Sequence, residues 1–560
     1  MARITQQGSI HTTGTTVENE PIIKSDGASG EVMQWLASTG SSKVTIDEDS
    51  ANKMSISVPT MTVGSLDIGH GANADPESTA VGDGALDANV LATTAIRNTA
   101  IGHDALTALN HNDADHNTAV GYNAGDGLLS GYQNTCIGAS ALSAACDDNN
   151  TAVGKAALEV FTGSNATAVG SGAADAAVSA AGITAVGSNA LGAATGSFNT
   201  AVGFDAGKTL VAGTENTAVG YAALDAATVG ALRNTAVGQA SLSAAAVDDN
   251  TAVGDSALKA FTGSDATAVG AGAADVAGSQ TGLTAIGKDA LGVATSGNSN
   301  TAVGSASLQT VDGTQNVAMG HLALGADCVT DNVGVGYAAL VAFTGSNATA
   351  VGSGAMDAAT SAGYSTAVGM SALGAVIDGV SNTAVGVSSM GLLTDTHYNT
   401  AMGHGSGYSC DGTSNVYLGY NAGFYATTAD HCIAIGRGAL EAADTAGDDS
   451  DNATGDYNIA IGSYALDATT SGDKNVAIGH NAGTGNLTGL ENVLMGYYAG
   501  SALTQNYNVA VGSRAMYHGT TQTQCIAIGR SALGGDGSTA PTGDYNVGIG
   551  GYSLDAATTG

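Results

Sequence analysis

The sequence predicts an all-β chain: a parallel β-solenoid, or β-roll, of about 28 coils of 16–17 residues, with a small N-terminal β module before it. Three observations predict it. First, the phrase "NTAVGYNAG" at Asn117 returns with small changes to the end of the chain, as "NTAVGYAAL" at Asn216 and "NVAIGHNAG" at Asn475. Self-similarity at a short fixed period is the mark of a solenoid. Second, residues alternate in character around the motif glycine, which is a strand pattern. Third, the 560 residues include 83 Gly, 4 Pro, 4% aromatics and only 11% charged residues, too few large side chains for a wide core.

In chain order, residues 1–63 lack the repeat. They hold "EVMQWLAS", "SKVTIDEDS" and "KMSISVPTMTV", short alternating strands between Gly, Ser and Asp turns. Val32, Met33, Ile46 and Trp35, the chain's one tryptophan, are the candidate attachment residues there. The plainer alternative is that this segment caps the solenoid's open edge. Residues 64–409 form an Ala/Thr/Gly-rich shaft, and 410–560 a Tyr-rich continuation and candidate distal tip.

Within each repeat the motif glycine, such as Gly121, Gly220 or Gly479, is position zero. The residue before it (Val120, Val219, Ile478) is Val, Ile, Leu or Met in all 28 copies, and position −3 is Thr in 18 and Val or Ile in 10. Positions −3 and −1 share one strand face, which is expected to point inward, leaving the Ala at −2 to face a neighbour. Position −4 is Asn in 19 copies, Asn117, Asn216 and Asn475 among them. Asn suits a corner and can stack into a ladder between coils. After the glycine, +3 is always Ala or Ser and +4 is mostly Leu, which suggests a second short inward strand. Stacked at the parallel-strand spacing, 28 coils reach roughly 135 Å. A longer duplication lies above the repeat: "NTAVGKAALEVFTGSNATAVGSGAADAA" from Asn150 recurs from Asn250 and, more loosely, from Asn332.

The phrase "NTAVGxxAL", with its later forms "CIAIGRGAL" at Cys432 and "NIAIGSYAL" at Asn458, resembles the YadA-like head repeats of trimeric autotransporter adhesins, over about residues 64–560. Such repeats also resemble those of phage fibres, marine ones included. The resemblance implies a left-handed roll, a homotrimer packed through its Ala and Gly faces, and a role in surface attachment. Autotransporters also carry a signal peptide, a coiled-coil stalk and a membrane barrel, none of which is read in this sequence. That departure favours a virion appendage assembled in the host cytoplasm.

Other classes fit poorly. A net charge of −35 opposes nucleic-acid backbones and anionic membrane surfaces. No run of 18 apolar residues offers a transmembrane helix, and "MARITQQGSIH" has no signal-peptide core. Six scattered cysteines include no CxxC pair, and Cys432 and Cys525 stand where other repeats have Asn. His111, Asp113, Asp115 and His116 in "NHNDADHN" fit no standard metal spacing and read as a solvated loop. The acids of "CDDNN", "VDDN" and "GDDSDN" read as surface corners, and no phosphate-loop motif occurs. No catalytic residue and no cofactor is expected.

Thirteen of the 18 tyrosines follow residue 397. Tyr417, Tyr420, Tyr425, Tyr497, Tyr498, Tyr507 and Tyr517 are the candidate receptor contacts, since a tyrosine pairs an apolar ring with a polar tip. The functional expectation is a trimeric virion fibre: residues 1–63 bind a baseplate, tail or other capsid-associated protein, and the rod supports contact with a host-surface glycan or protein. A bacterial adhesin fragment is the alternative. An ice-binding solenoid is the third reading, placed last because its Thr row is expected to share the core face.

Overall fold

The computed structural model describes residues 77–555, save 88–94, 227–229, 294–295, 443–452, 487 and 536–542, together with the backbone of four short strands nearer the N-terminus. Two compact units are present, Met1–Met61 and Thr62–Gly560. In the first, β1 (Ile22–Ser25) pairs antiparallel with β2 (Glu31–Gln34). Val32 and Met33 lie on β2, whereas Trp35 and Ile46 fall outside the described residues.

The second unit is a parallel β-solenoid. After β3 (Thr60–Val63) and β4 (Leu66–Gly69) come 28 three-residue strands, β5 (Thr79–Val81) to β32 (Val547–Ile549). Each is one motif copy, pairing in parallel with the next at motif register: Thr118 with Thr135, Ala119 with Cys136, Val120 with Ile137. Each of these strands touches only the strands before and after it. The outer edge of β5 is covered by β4, which runs antiparallel to it with Ile68 opposite Val81. The edge protection a solenoid needs is thus supplied by residues 66–69, after the segment expected to act as cap.

The strand faces are the reverse of the expectation. The middle residue, nearly always Ala, is buried in every described shaft strand, as in Ala119, Ala152 and Ala218, while the residue at −3, mostly Thr, and the apolar residue at −1 are half-buried or exposed. The roll is too thin to take a β-branched side chain from the strand. Ala at −2 meets Ala at +3 and Leu at +4 from the opposite wall, and all three are buried inside the stack, as in Ala119, Ala124 and Leu106, whereas Leu554 in the last coil is exposed. A Val row turned inward would overfill that space, and overpacking costs about 1–3 kcal/mol per site. The Ala face therefore builds the core and forms no seam, and the Thr/Val face is the open one.

Each coil also has one strand, not two. The segment after the glycine is a left-handed turn, with positive φ at +2 and +4: Asn123 at 52° and Leu106 at 53°. It is still fully bonded between coils. The Asn123 N–H donates to the His103 carbonyl of the coil before, and the Leu106 N–H to the Ala124 carbonyl of the coil after. A left-handed Leu costs roughly 1–2 kcal/mol. Its full burial returns about 1.5–3 kcal/mol, so the turn stands. The motif glycine has φ near 140°, and a Cβ on Gly121 would lie 2.6 Å from the Gly138 carbonyl oxygen. Glycine is required there on both counts.

Candidate functional site

The corner before the strand is built from a ladder of buried asparagines. The Asn134 N–H donates to Asn117 Oδ1 at 2.9 Å and the Asn150 N–H to Asn134 Oδ1 at 2.8 Å. The amide nitrogens donate onward, Asn117 Nδ2 to the Gly131 carbonyl at 2.9 Å. The same holds at Asn216 and Asn475. The left-handed residue is the one before Asn, such as His116 at 60°. Cys432 and Cys525 continue the ladder in place of Asn: each takes the previous Asn oxygen through its N–H, and its sulfur accepts from Asn458 and Asn546.

A second ladder, missed in the sequence, gives a role to corner acids such as Asp115, Asp148 and Asp248; those of "GDDSDN" lie outside the described residues. Two residues before the Asn, a side-chain oxygen accepts the N–H of the equivalent residue in the preceding coil. Asp115 does this for Ile96 at 2.8 Å, Asp148 for Tyr132 at 3.0 Å and Asp248 for Leu232 at 2.9 Å. In the later coils the chain is continuous, Thr413 to Asp430 to Asp456 to Asp473. The pattern was present in the sequence as Asp-x-Asn or Asn-x-Asn, at 115–117, 148–150, 248–250, 456–458, 473–475 and 506–508. These oxygens are committed to backbone donors. In "NHNDADHN", His111 Nδ1 accepts the Asp113 N–H, and no group of three or more candidate ligands forms among the described residues.

All six cysteines are free and buried. Burial pushes the Cys146, Cys328 and Cys432 thiols up to about 12 and Cys410 to about 11. Such groups are poor nucleophiles at neutral pH.

The candidate tyrosines separate into three environments. Tyr417 is fully buried and is no receptor contact. It occupies the strand-middle position where other coils have Ala. Gly407 and Gly423 occupy the +4 positions that hold Leu elsewhere, and a Cβ on Gly407 would sit 2.8 Å from the Tyr417 ring. Leu494 repeats this exchange with Gly483 and Gly500. Tyr507 is exposed on the corner five residues before its glycine, and it joins no ring cluster among the described residues.

The remaining five lie after the motif glycine; Tyr420, Tyr497, Tyr498 and Tyr517 belong to one run of ring and cation–π contacts, and Tyr425 to a separate group with Phe424 and Tyr408. His404 stacks on Tyr420 at 5.3 Å, and the Arg437 guanidinium lies between Tyr420 and Tyr464, 5.8 and 5.5 Å from their centroids. Tyr425 packs against Phe424 at 4.7 Å and onto the core. Tyr464 meets His480 at 6.3 Å, His480 meets Tyr497 at 5.6 Å, and Tyr497 and Tyr498 meet edge to face at 4.6 Å. Tyr498 touches Tyr517 at 5.6 Å, with Arg514 over the Tyr517 ring at 5.5 Å and His518 against it at 4.4 Å. The strip runs along one edge of the roll from His404 to His518. Among the described residues, earlier coils carry only isolated pairs, such as His103 with Tyr122 and His321 with Tyr337.

Position +5, beside this edge, holds a carboxyl in ten coils, and four of these are perturbed: Asp126, Asp225, Asp275 and Asp467. Burial, and then nearby acids, hold each above the usual carboxylate range. Asp467 reaches about 7, with burial the main cause and Glu441 adding to it.

Among known protein-family models and curated proteins, none matches this chain.

Proposed function

We propose that the chain forms the shaft of a trimeric fibre at a virion surface, with the Tyr-rich coils in contact with the host surface and residues 1–63 bound to the particle. The observation that carries this reading is the open strand face. Position −1 is Val, Ile, Leu or Met in every coil, and it stays half-buried or exposed from Val81 to Ile549, Met402 and Met495 included. At the strand rise and spacing, the Thr/Val face covers roughly 900 Å² per chain, above the ~800 Å² per partner of a stable interface. The aliphatic −1 row runs unbroken along that face, and a continuous apolar stripe marks an interaction surface. Two further copies of the same chain, presenting the same face, would cover it along its whole length. A negative charge spread along the chain keeps such a particle soluble.

The experiment is the mass of the full chain in solution with and without a charge on that face. Val219→Asp with Val237→Asp places two carboxylates on adjacent strands of the seam. Reduction of the trimer mass toward the monomer, with the far-UV spectrum kept, is the expected outcome; an unchanged mass places the seam elsewhere. Genes beside this one separate a virion fibre from a bacterial adhesin fragment.

The same observation favours the ice-binding reading over its place in the sequence analysis. Thr at −3 points outward, in a row at the regular strand spacing of ~4.8 Å. One face serves one purpose: buried in a trimer it meets no ice. A monomer with thermal hysteresis would establish this second reading in place of the first.

A further inference from the structure

The later coils carry an exception to the charge of the molecule. Between Asp473 and Asp536 there is one acidic residue, Glu491, against three basic ones, Lys474, Arg514 and Arg530, in a chain of net charge −35. Lys474 is engaged with Glu491 at 3.8 Å. Arg514 and Arg530 form no ion pair with any described residue and are exposed. Instead each guanidinium lies 5.5 Å from a tyrosine centroid, Arg514 over Tyr517 and Arg530 over Tyr552. A ring beneath a guanidinium holds it by cation–π attraction and leaves its edge donors free. Beside them stand His480 and the edge-to-face pair of Tyr497 and Tyr498, with Tyr497 about half exposed.

We infer that this patch, resting on the host-contact reading above, binds a carboxylate-bearing polysaccharide. A uronate ring has an apolar face that packs on Tyr497 and a carboxylate that a guanidinium binds through two parallel N–H donors. Arg514 and Arg530 sit on successive coils, both two or one residues after their motif glycines Gly512 and Gly529. Their coils stand one strand spacing apart, ~4.8 Å, along the roll, so a polymer lying along it passes both. Elsewhere the acidic surface repels such a ligand, so the charge exception also sets where it lands. A neutral glycan would leave both guanidiniums without an anion.

The test uses the full chain and sodium alginate fragments as the polyuronate, with dextran and dextran sulfate as controls, by calorimetry at near-physiological salt. Saturable binding to alginate and none to dextran is expected. Arg514→Gln with Arg530→Gln should weaken it by about tenfold or more, the worth of one charged hydrogen-bonded contact. Tyr497→Ser should weaken it as well, and Tyr507→Ser, outside the patch, should leave it unchanged. All four positions are exposed, and native far-UV spectra verify folding. Absence of alginate binding overturns the inference, as does binding that follows charge alone, with dextran sulfate bound equally by the chain and by Tyr497→Ser. Capture of a host protein without alginate binding overturns it too. Mass measured on the same sample separates this inference from the fibre reading: a trimer that ignores alginate removes the ligand class only, and a monomer that binds it removes the fibre only.

Discussion

At the scale of the residue, volume is conserved locally in a core one alanine thick. Tyr417 fits because Gly407 and Gly423 vacate the space that Leu fills in other coils. Tyr417→Ala should destabilise this region by about 3–5 kcal/mol, the cost of emptying an aromatic site. Adding Gly423→Leu should recover part of it, because +4 leucines already adopt φ of 47–56°, near the 62° of Gly423. Local amide exchange over residues 400–440 would measure both. An additive double mutant would contradict the pairing. The buried ladder gives a second case. Asn216→Ala strips the Asn234 N–H of its acceptor, which should cost about 1–3 kcal/mol, seen as faster exchange at Asn234. Asp467 supplies the pH dependence. Its carboxyl is lifted from 3.8 to about 7 by burial, so the folded state holds the proton more tightly than the unfolded chain. Its stabilising effect is complete below 3.8 and lost as pH rises through about 7. The coils around it should exchange faster at pH 8 than at pH 5, and Asp467→Asn should remove most of that difference.

At the scale of the element, much was legible. The 28 strands, their parallel register and the Asn ladder all follow from the repeat, since Asn recurs at −4 with its strand. What the period-2 pattern could not decide was which face is inside. Thr and Val are good strand residues on either face, and hydrophobicity favoured Val inward. The deciding quantity was space: with Ala or Ser always at +3, the opposite wall comes too close for Val. The turn after the glycine was likewise read as a strand because its apolar residues were visible and its left-handed φ values were not. The acids at −6 were visible as Asp-x-Asn, yet their role needs a partner one coil away. Coil autonomy makes a direct prediction. Deleting residues 235–250, one whole period, joins Asn234 to Thr251 and keeps the Asn ladder in register, with Asn234 taking the place of Asn250 before Ala266. The shortened chain should fold with the same far-UV spectrum, whereas deletion of 235–242 should not. Loss of folding in the first variant would contradict nearest-neighbour stability.

At the scale of the whole molecule, the repeat makes length and one continuous open face. The tyrosine gradient was legible in the sequence, but not its division. Position within the coil sends Tyr417 inward, Tyr507 to one corner, and Tyr420, Tyr497, Tyr498 and Tyr517 to an edge shared with Arg437 and Arg514. The central claim is that the outward Thr/Val stripe is covered by two further copies of the chain. The measurement that tests it most directly is the mass of the purified full-length chain in solution by light scattering. Three times the 54.1 kDa chain mass is the expected result. A stable particle at 54.1 kDa, with the Thr/Val face open to water, would contradict it.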